Sequence, residues 1–190
     1  MLRPLLNLST DIFSGSHILE GAMKKYSPCC ILVLLFGFYA LAECQADSLP
    51  MADRIVIRKS ERMLFLEQDG RVFREYSVSL GMNPIGHKQR RGDKRTPEGS
   101  YVISYHLPGS TFYKALLISY PNRDDIREAR RKGYDPGGLI MIHGLPEAAK
   151  GNEEDFFQRD WTDGCIAVTN DVIDQIWNLV KDGTPIDILP

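Results

Sequence analysis

The sequence predicts a β-rich α+β domain with a few short helices. Most of its apolar runs are four to nine residues long, a length typical of strands. Two of these runs flank Asp69-Gly70, a dipeptide that favours a tight hairpin turn. A longer helical spacing of apolar residues is found near the C-terminus, from Val172 to Val180. The 190 residues are enough for one such domain and an additional segment.

The first part of the domain is predicted to be antiparallel sheet. Residues 53–58 alternate along a first strand, and residues 63–67 and 72–80 form the hairpin. A loop at 81–99 follows, and it is rich in positive charge. Its basic residues are Lys88, Arg90, Arg91, Lys94 and Arg95. A run of this kind is ordinarily a solvated surface, and a guide for an anionic substrate is the alternative.

The middle of the domain is predicted to contain three strands and one helix. The strands are expected at residues 101–105, 115–120 and 139–142. The helix is expected at 124–132, with Asn122 or Asp124 as its N-cap. Gly133 is suited to close it, because glycine adopts the left-handed conformation common after a helix.

The last part of the domain begins with an excursion or lid at residues 145–160, which is expected to include a short helix. A longer helix is predicted to start with Asn170 as its cap and to end near Asp182-Gly183. Residues 185–189 then form a final strand.

A secretory signal is predicted upstream of the domain. Met23-Lys24-Lys25 is basic, the uncharged run 26–42 follows, and Ala40-Leu41-Ala42 is a small-x-small cleavage pattern. We therefore expect residues 1–46 to be a leader that starts at Met23, and residues 47–190 to be the domain, exported to the periplasm or cell envelope. Because the apolar run has 17 residues, an uncleaved membrane anchor is the alternative.

Cysteine usage depends on where this leader is cut. Cys29 and Cys30 lie inside it, and Cys44 follows Glu43, which is a poor residue at a lipoprotein cleavage site. Cleavage after residue 46 leaves Cys165 as the one thiol, whereas cleavage after residue 42 leaves a bridge between Cys44 and Cys165 open. The net charge of −2 gives no indication of a nucleic-acid partner or of membrane contact beyond the leader.

Cys165 and His143 form a candidate catalytic pair. Each follows a short apolar run or turn, and 22 residues separate them. A thiol needs a neighbouring base or positive charge to act as a nucleophile, because its ordinary pKa is about 8.5. The backbone N–H groups of Asp163, Gly164 and Cys165 are candidates to hold an oxyanion. A small buried cysteine beside a core histidine is the alternative.

A metal site is a weaker interpretation of the same residues. Cys165, His143 and Asp163 would supply three ligands, but the sequence has no CxxC or HxxxH spacing. We expect neither a metal nor a cofactor.

Four segments together resemble the L,D-transpeptidase (YkuD-type) catalytic domain, over about Ile55 to Leu189. They are Gly92–Tyr101, Ser119–Asn122, Ile140–Gly144 and Thr162–Ile166. The resemblance implies a β-sandwich with a few short helices, one of them after the nucleophile. It also implies a bacterial envelope enzyme that acts on peptidoglycan stem peptides and remodels the cell wall.

The same resemblance implies Cys165 as nucleophile and His143 as base. The acyl donor would be a tetrapeptide stem, cut between the L-centre of a diamino acid and a terminal D-alanine. An amine acceptor, which includes an envelope protein, gives a cross-link or attachment, and water gives hydrolysis. A hydrolase with the same chemistry and a non-catalytic envelope-binding module are the alternative functions, and we expect a monomer.

Two residues depart from the family pattern. Many members have histidine at the position of Asp163 and arginine at that of Ala167. An inward Asp163 would raise the pKa of the thiol, whereas one that faces the histidine would orient the ring. Without the arginine, a substrate carboxylate would be left to Arg159 or to the basic loop. The other expected substrate contacts are Gly144, Thr162 and Trp161.

Overall fold

The computed structural model describes residues 50–157 and 159–190. Eight strands pair in the order β3-β2-β1-β8-β4-β5-β6-β7. The strands are β1 (Arg54–Arg58), β2 (Met63–Gln68), β3 (Arg71–Ser77), β4 (Gly99–Ser110), β5 (Tyr113–Ile118), β6 (Met141–His143), β7 (Ile166–Ala167) and β8 (Pro185–Leu189). The helices are α1 (Arg123–Arg131), α2 (Glu153–Phe157) and α3 (Asn170–Leu179), with a 3-10 turn at Glu147–Ala149. The predicted β-rich fold is confirmed, and the predicted leader at 1–46 lies outside the described residues.

The predicted hairpin is confirmed in β2 and β3. The strands are antiparallel, and Gln68 pairs with Arg71 across the two turn residues. Asp69 and Gly70 have φ angles of 52° and 72°. Two consecutive positive φ angles give the turn that matches the twist of the flanking strands.

Strand β4 joins the two halves of the sheet. Its first residues pair with β8, from Gly99 to Val102, and its later residues pair with β5, from Ile103 to Ser110. The strand is longer than the sequence predicts, because it continues through Pro108-Gly109 with a register shift between Leu107 and Ser110. A bulged edge accepts such residues, which are ordinarily turn signals.

The segment after β3 connects the halves a second time. Ser79 pairs antiparallel with Ala167 of β7, and Gly81 pairs parallel with Thr162. The core lies between the two halves and contains fully buried side chains from both, such as Leu64, Leu116 and Ile166. Strand β7 is therefore bonded on one side to β6 and on the other to the segment that leaves β3.

The helix boundaries follow local capping. Asn122 forms a capping box with Asp125 at the start of α1, so Asn122 is the cap and Asp124 is not. Thr169 caps α3 through its hydroxyl, so the prediction of Asn170 is wrong by one residue. The amide of Asn170 is used elsewhere, since its Oδ1 accepts from Leu145 N at 2.8 Å.

Helix α3 also ends earlier than expected, at Leu179, because Val180 is extended. Ile173, Ile176 and Leu179 are buried and pack in the core. Within residues 50–157 and 159–190, no helix is long and apolar enough to cross a bilayer.

Candidate active site

Strands β6 and β7 bring the candidate pair together. They are parallel, with Ile142 opposite Ile166 and His143 opposite Ala167. Side chains alternate along a strand, so Cys165, two residues before Ala167, lies on the same face as His143. Both residues line one cavity of about 330 Å³. The short strands place the thiol and the imidazole on one face of the sheet.

The thiol of Cys165 is half-buried and free. Its Sγ donates to the carbonyl oxygen of Leu139 at 3.5 Å. Burial raises the pKa of Cys165, and a hydrogen bond from the backbone of Met141 and the positive charge of Lys88 partly offset that rise. Burial therefore disfavours the thiolate form of Cys165.

The imidazole of His143 is 2% exposed and is held by its own neighbour. Its Nδ1 lies 2.7 Å from the carbonyl oxygen of Gly144. A carbonyl can only accept, so Nδ1 carries the proton and Nε2 is left as a base. Burial lowers the pKa of His143, although the bond to Gly144 opposes this. The ring is thus neutral and ready to take a proton.

Two aromatic rings enclose this imidazole. Phe112 stacks on it with centroids 4.4 Å apart, and Trp161 meets it edge-on at 5.8 Å. Phe156 in turn packs edge-on against Trp161 at 5.2 Å. Trp161 therefore forms part of the site by its contact with His143. Phe112, in the β4–β5 hairpin, has no signal in the sequence that links it to the site.

The turn before Cys165 is fixed by Thr162. Its hydroxyl donates to the carbonyl oxygen of Cys165 at 2.8 Å and accepts from the N–H of Gly164 at 3.1 Å. Thr162 is 4% exposed, so the structure places this expected substrate contact inside the turn. We infer that it positions Cys165.

Gly164 is required by the backbone at that point. Its φ is +131°, and a Cβ there would lie 2.6 Å from the carbonyl oxygen of Arg95. Other residues rarely adopt this conformation. The amide N–H of Gly164 is already bonded to Thr162. Within the described part of the chain, the N–H groups of Asp163 and Cys165 have no hydrogen-bond partner.

Asp163 lies on the exposed wall of the cavity beside Cys165. Its side chain is 85% exposed, and its carboxylate lies 4.0 Å from Lys94 Nζ. It raises the pKa of Cys165 as the smallest of four influences. This direction is the one expected of an inward carboxylate, although the side chain itself is exposed. The ring of His143 is oriented by the Gly144 carbonyl instead.

The remaining expected contacts lie in different places. Gly144 follows His143 in the chain, and a Cβ on Gly144 would lie 2.5 Å from Asn170 Oδ1. Arg159 lines a separate cavity with Arg62 and Asp160, two residues that form an ion pair at 2.8 Å. The structure therefore does not bring Arg159 to Cys165.

Cys165 lies between two cavities of different character. The cavity of about 330 Å³ contains His143 and Phe112. The other, of about 430 Å³, contains basic side chains of the 81–99 loop. Leu139 lines both, is 69% exposed and has a φ of 57°, which is unusual for a leucine. The sequence gives no sign of this role for Leu139.

No group of three or more His, Cys, Asp or Glu side chains close enough to hold an ion occurs within 50–157 and 159–190.

Sequence comparison identifies relatives of the whole domain. The model of the YkuD family, the L,D-transpeptidase catalytic domain, matches residues 52–188. The protein named "Putative L,D-transpeptidase YafK" in Escherichia coli K12 is 33% identical over 132 residues. The match covers 66% of this chain and 46% of that protein. The chain thus spans about half the length of this relative.

Solved structures give the same fold. The helical cell shape determining protein Pgp2 from Campylobacter jejuni has a TM-score of 0.54 at 26% identity, over 71% of this chain and 46% of that one. Bd1075 from Bdellovibrio bacteriovorus has a TM-score of 0.51 at 25% identity, over 73% and 48%. The chain belongs to the L,D-transpeptidase (YkuD) catalytic domain family.

Proposed function

We propose that this chain is an exported cysteine acyltransferase that acts on peptidoglycan stem peptides through a thioester. The observation that supports it most is the placement of Cys165 and His143 on one face and in one cavity. Family membership supports the reaction class. The description of Pgp2 as a protein that determines helical cell shape supports a role in the cell wall.

Acylation begins from two neutral groups. Nε2 of His143 takes the proton of Cys165 as Sγ attacks the carbonyl carbon of the diamino acid. The carbonyl oxygen becomes an oxyanion, which we assign to the amides of Asp163 and Cys165. The imidazolium then gives its proton to the departing nitrogen of D-alanine. The C–N bond breaks and a thioester remains on Sγ.

Deacylation reverses these roles. An amine acceptor or a water molecule gives a proton to Nε2 of His143 as it attacks the thioester carbon. The tetrahedral intermediate then expels Sγ, which regains the proton from the imidazolium. An amine, including one on an envelope protein, yields a new amide, and water yields a free acid.

The cellular place of this reaction follows from the leader. The signal-like segment at residues 23–46 supports export to the periplasm or envelope. Peptidoglycan is found in that compartment. Because the compartment is oxidising, Cys165 would there be a thiol that is kept free of a disulfide.

An acylating β-lactam of the carbapenem class tests the nucleophile. We expect intact-mass analysis to find one covalent adduct on Cys165 and none on a Cys165→Ala variant. His143→Gln, which keeps the size of the side chain but removes the base, should slow adduct formation at least about 100-fold. Absence of an adduct on the native protein would contradict the proposal and favour a non-catalytic binding module.

The products formed from purified sacculi then distinguish acyl transfer from hydrolysis. New cross-links or exchanged D-amino acids indicate transfer, whereas released D-alanine or released wall-linked protein without exchange indicates hydrolysis. The Cys165→Ala variant is the control for both products.

A further inference from the structure

The tip of the β4–β5 hairpin lies against the imidazole of His143. This tip, residues 110–113, carries Phe112, whose ring stacks on the imidazole with centroids 4.4 Å apart and planes at 30°. Phe112 also contacts Trp161, with 6.0 Å between ring centroids. The imidazole is buried, and that burial lowers the pKa of His143. The position of the hairpin tip therefore influences how far the imidazole is shielded from water.

Backbone pairing ties the base of the hairpin to the site, but not its tip. Strand β5 pairs with β6 as far as His143, and the carbonyl oxygen of Lys114 accepts from Gly144 N at 3.1 Å. In the tip, Ser110 Oγ accepts from Phe112 N at 3.1 Å. Because that bond runs within the tip, it does not set where the tip lies relative to the imidazole.

Asp174 of α3 joins the tip to the rest of the domain. Its Oδ2 accepts from the Tyr113 hydroxyl at 3.1 Å, and its Oδ1 accepts from Lys114 Nζ at 2.6 Å. Within residues 50–157 and 159–190, the bond from Tyr113 is the one hydrogen bond between residues 110–113 and an element outside the hairpin. Since Tyr113 and Lys114 directly follow Phe112, one carboxylate holds the chain next to the stacked ring.

The backbone at Tyr113 also depends on such contacts. Its φ is 69°, which is uncommon for a residue with a side chain and persists where surrounding contacts hold it. Lys114 Nζ lies 5.4 Å from the centroid of the Tyr113 ring and 5.5 Å from that of Trp177 in α3. The ammonium is therefore held between the tip and the helix, beside Asp174.

We propose that Asp174 is a positioning residue for the base: by holding the hairpin tip against α3, it keeps Phe112 stacked on the imidazole of His143. Asp174 acts from outside the site, since it lines neither of the two cavities beside Cys165. Helix α3 begins three residues after β7 ends, so the segment that carries Cys165 continues into the helix that holds the tip. That this arrangement serves catalysis rests on the proposed function.

Titration of His143 followed by NMR measures the stacking. The ring faces Phe112, Trp161 and, in the shared cavity, Cys165, of which Cys165 is titratable. We expect a native midpoint below the ordinary value of about 6.5, and a midpoint at least about 0.5 pH units higher in Asp174→Asn, because the imidazole gains access to water. Loss of the negative charge alone would lower the midpoint, so a rise reports the displaced ring.

The rate of carbapenem adduct formation on Cys165 tests the effect on the reaction. Asp174→Asn and Phe112→Ala should each slow it about threefold or more, because the base is less well placed. If Asp174 acts through Phe112, the double variant should be no slower than Phe112→Ala alone, whereas independent effects would multiply.

Asp187→Asn is the matched control. Asp187, like Asp174, accepts from one cation and one hydroxyl, which belong to Arg54 and Ser100. It lies on β8 and lines neither cavity beside the thiol. This variant should leave the His143 midpoint and the adduct rate at their native values.

The outcomes are distinct. An unchanged His143 midpoint in Asp174→Asn, losses that multiply in the double variant, or an equal effect of Asp187→Asn would overturn the positioning role and leave the acyltransferase intact. If the native protein forms no adduct, the proposed function fails, and the NMR titration still decides whether Asp174 holds Phe112 in place. A raised midpoint and losses that do not multiply, both absent in Asp187→Asn, support the role.

Discussion

The hydroxyl of Thr162 is predicted to hold the turn that carries Cys165. Thr162→Val keeps the shape of the side chain and removes both bonds, to Cys165 O and from Gly164 N. A buried polar group that loses its partner costs about 1–3 kcal/mol. Because the Gly164 N–H is buried and the Cys165 carbonyl is partly exposed, we expect a total loss of about 2–4 kcal/mol.

Thermal unfolding followed by circular dichroism measures that loss. At about 4 °C per kcal/mol for a domain of this size, Tm should fall by roughly 8–16 °C. Adduct formation with a carbapenem, measured below the lowered Tm, should also slow about tenfold or more, since the turn no longer fixes Sγ. Thr162→Ser retains the hydroxyl and should stay within about 1 kcal/mol of the native protein.

Two results would refute this reasoning. A Thr162→Val variant as stable and as reactive as the native protein would mean that the turn is held by other contacts. Equal losses in Thr162→Val and Thr162→Ser would mean that the threonine methyl group, and not the hydroxyl, is responsible.

Two further predictions concern the same site. Iodoacetamide alkylates the thiolate form of Cys165. Because burial raises the pKa of Cys165, the pH at which the alkylation rate is half-maximal should lie above the ordinary thiol pKa of about 8.5. A half-maximal rate near pH 7 would instead indicate a resting thiolate–imidazolium pair. Gly144→Ala should destabilise the fold by about 1–3 kcal/mol in chemical denaturation, since its Cβ would lie 2.5 Å from Asn170 Oδ1, whereas Gly109→Ala, whose Cβ meets nothing within 4 Å, should change stability little.

Local patterns in the sequence are sufficient for several elements of the fold. Asp69-Gly70 predicts the hairpin because only a few residue types accept two positive φ angles in succession. Asn122 predicts the start of α1 because its side chain caps the helix without help from distant residues. Cys165 and His143 are marked by their positions beside short apolar runs, and β6 and β7 bring them together.

Other features depend on contacts between distant segments. Thr169 and Asn170 are both good caps, and the choice is made by Leu145, which takes the Asn170 oxygen. Likewise, the burial of Lys88 depends on how the loop folds around Asp93. The stacking of Phe112 on His143 depends on the β4–β5 hairpin reaching over β6. Spacing along the chain carries no information on these contacts.

The position of β8 in the sheet has a consequence for the order in which the domain folds. Residues 185–189 follow Cys165 in the chain, yet β8 lies between β1 and β4 and bonds to both. A chain synthesised as far as Cys165 still lacks this strand and its pairings with β1 and β4. Pairings between residues so far apart form slowly, because a long loop must close first. We therefore expect the pairing of β8 with β1 and β4 to be a late step in folding, so that the sheet is complete only after residues 185–189 are available.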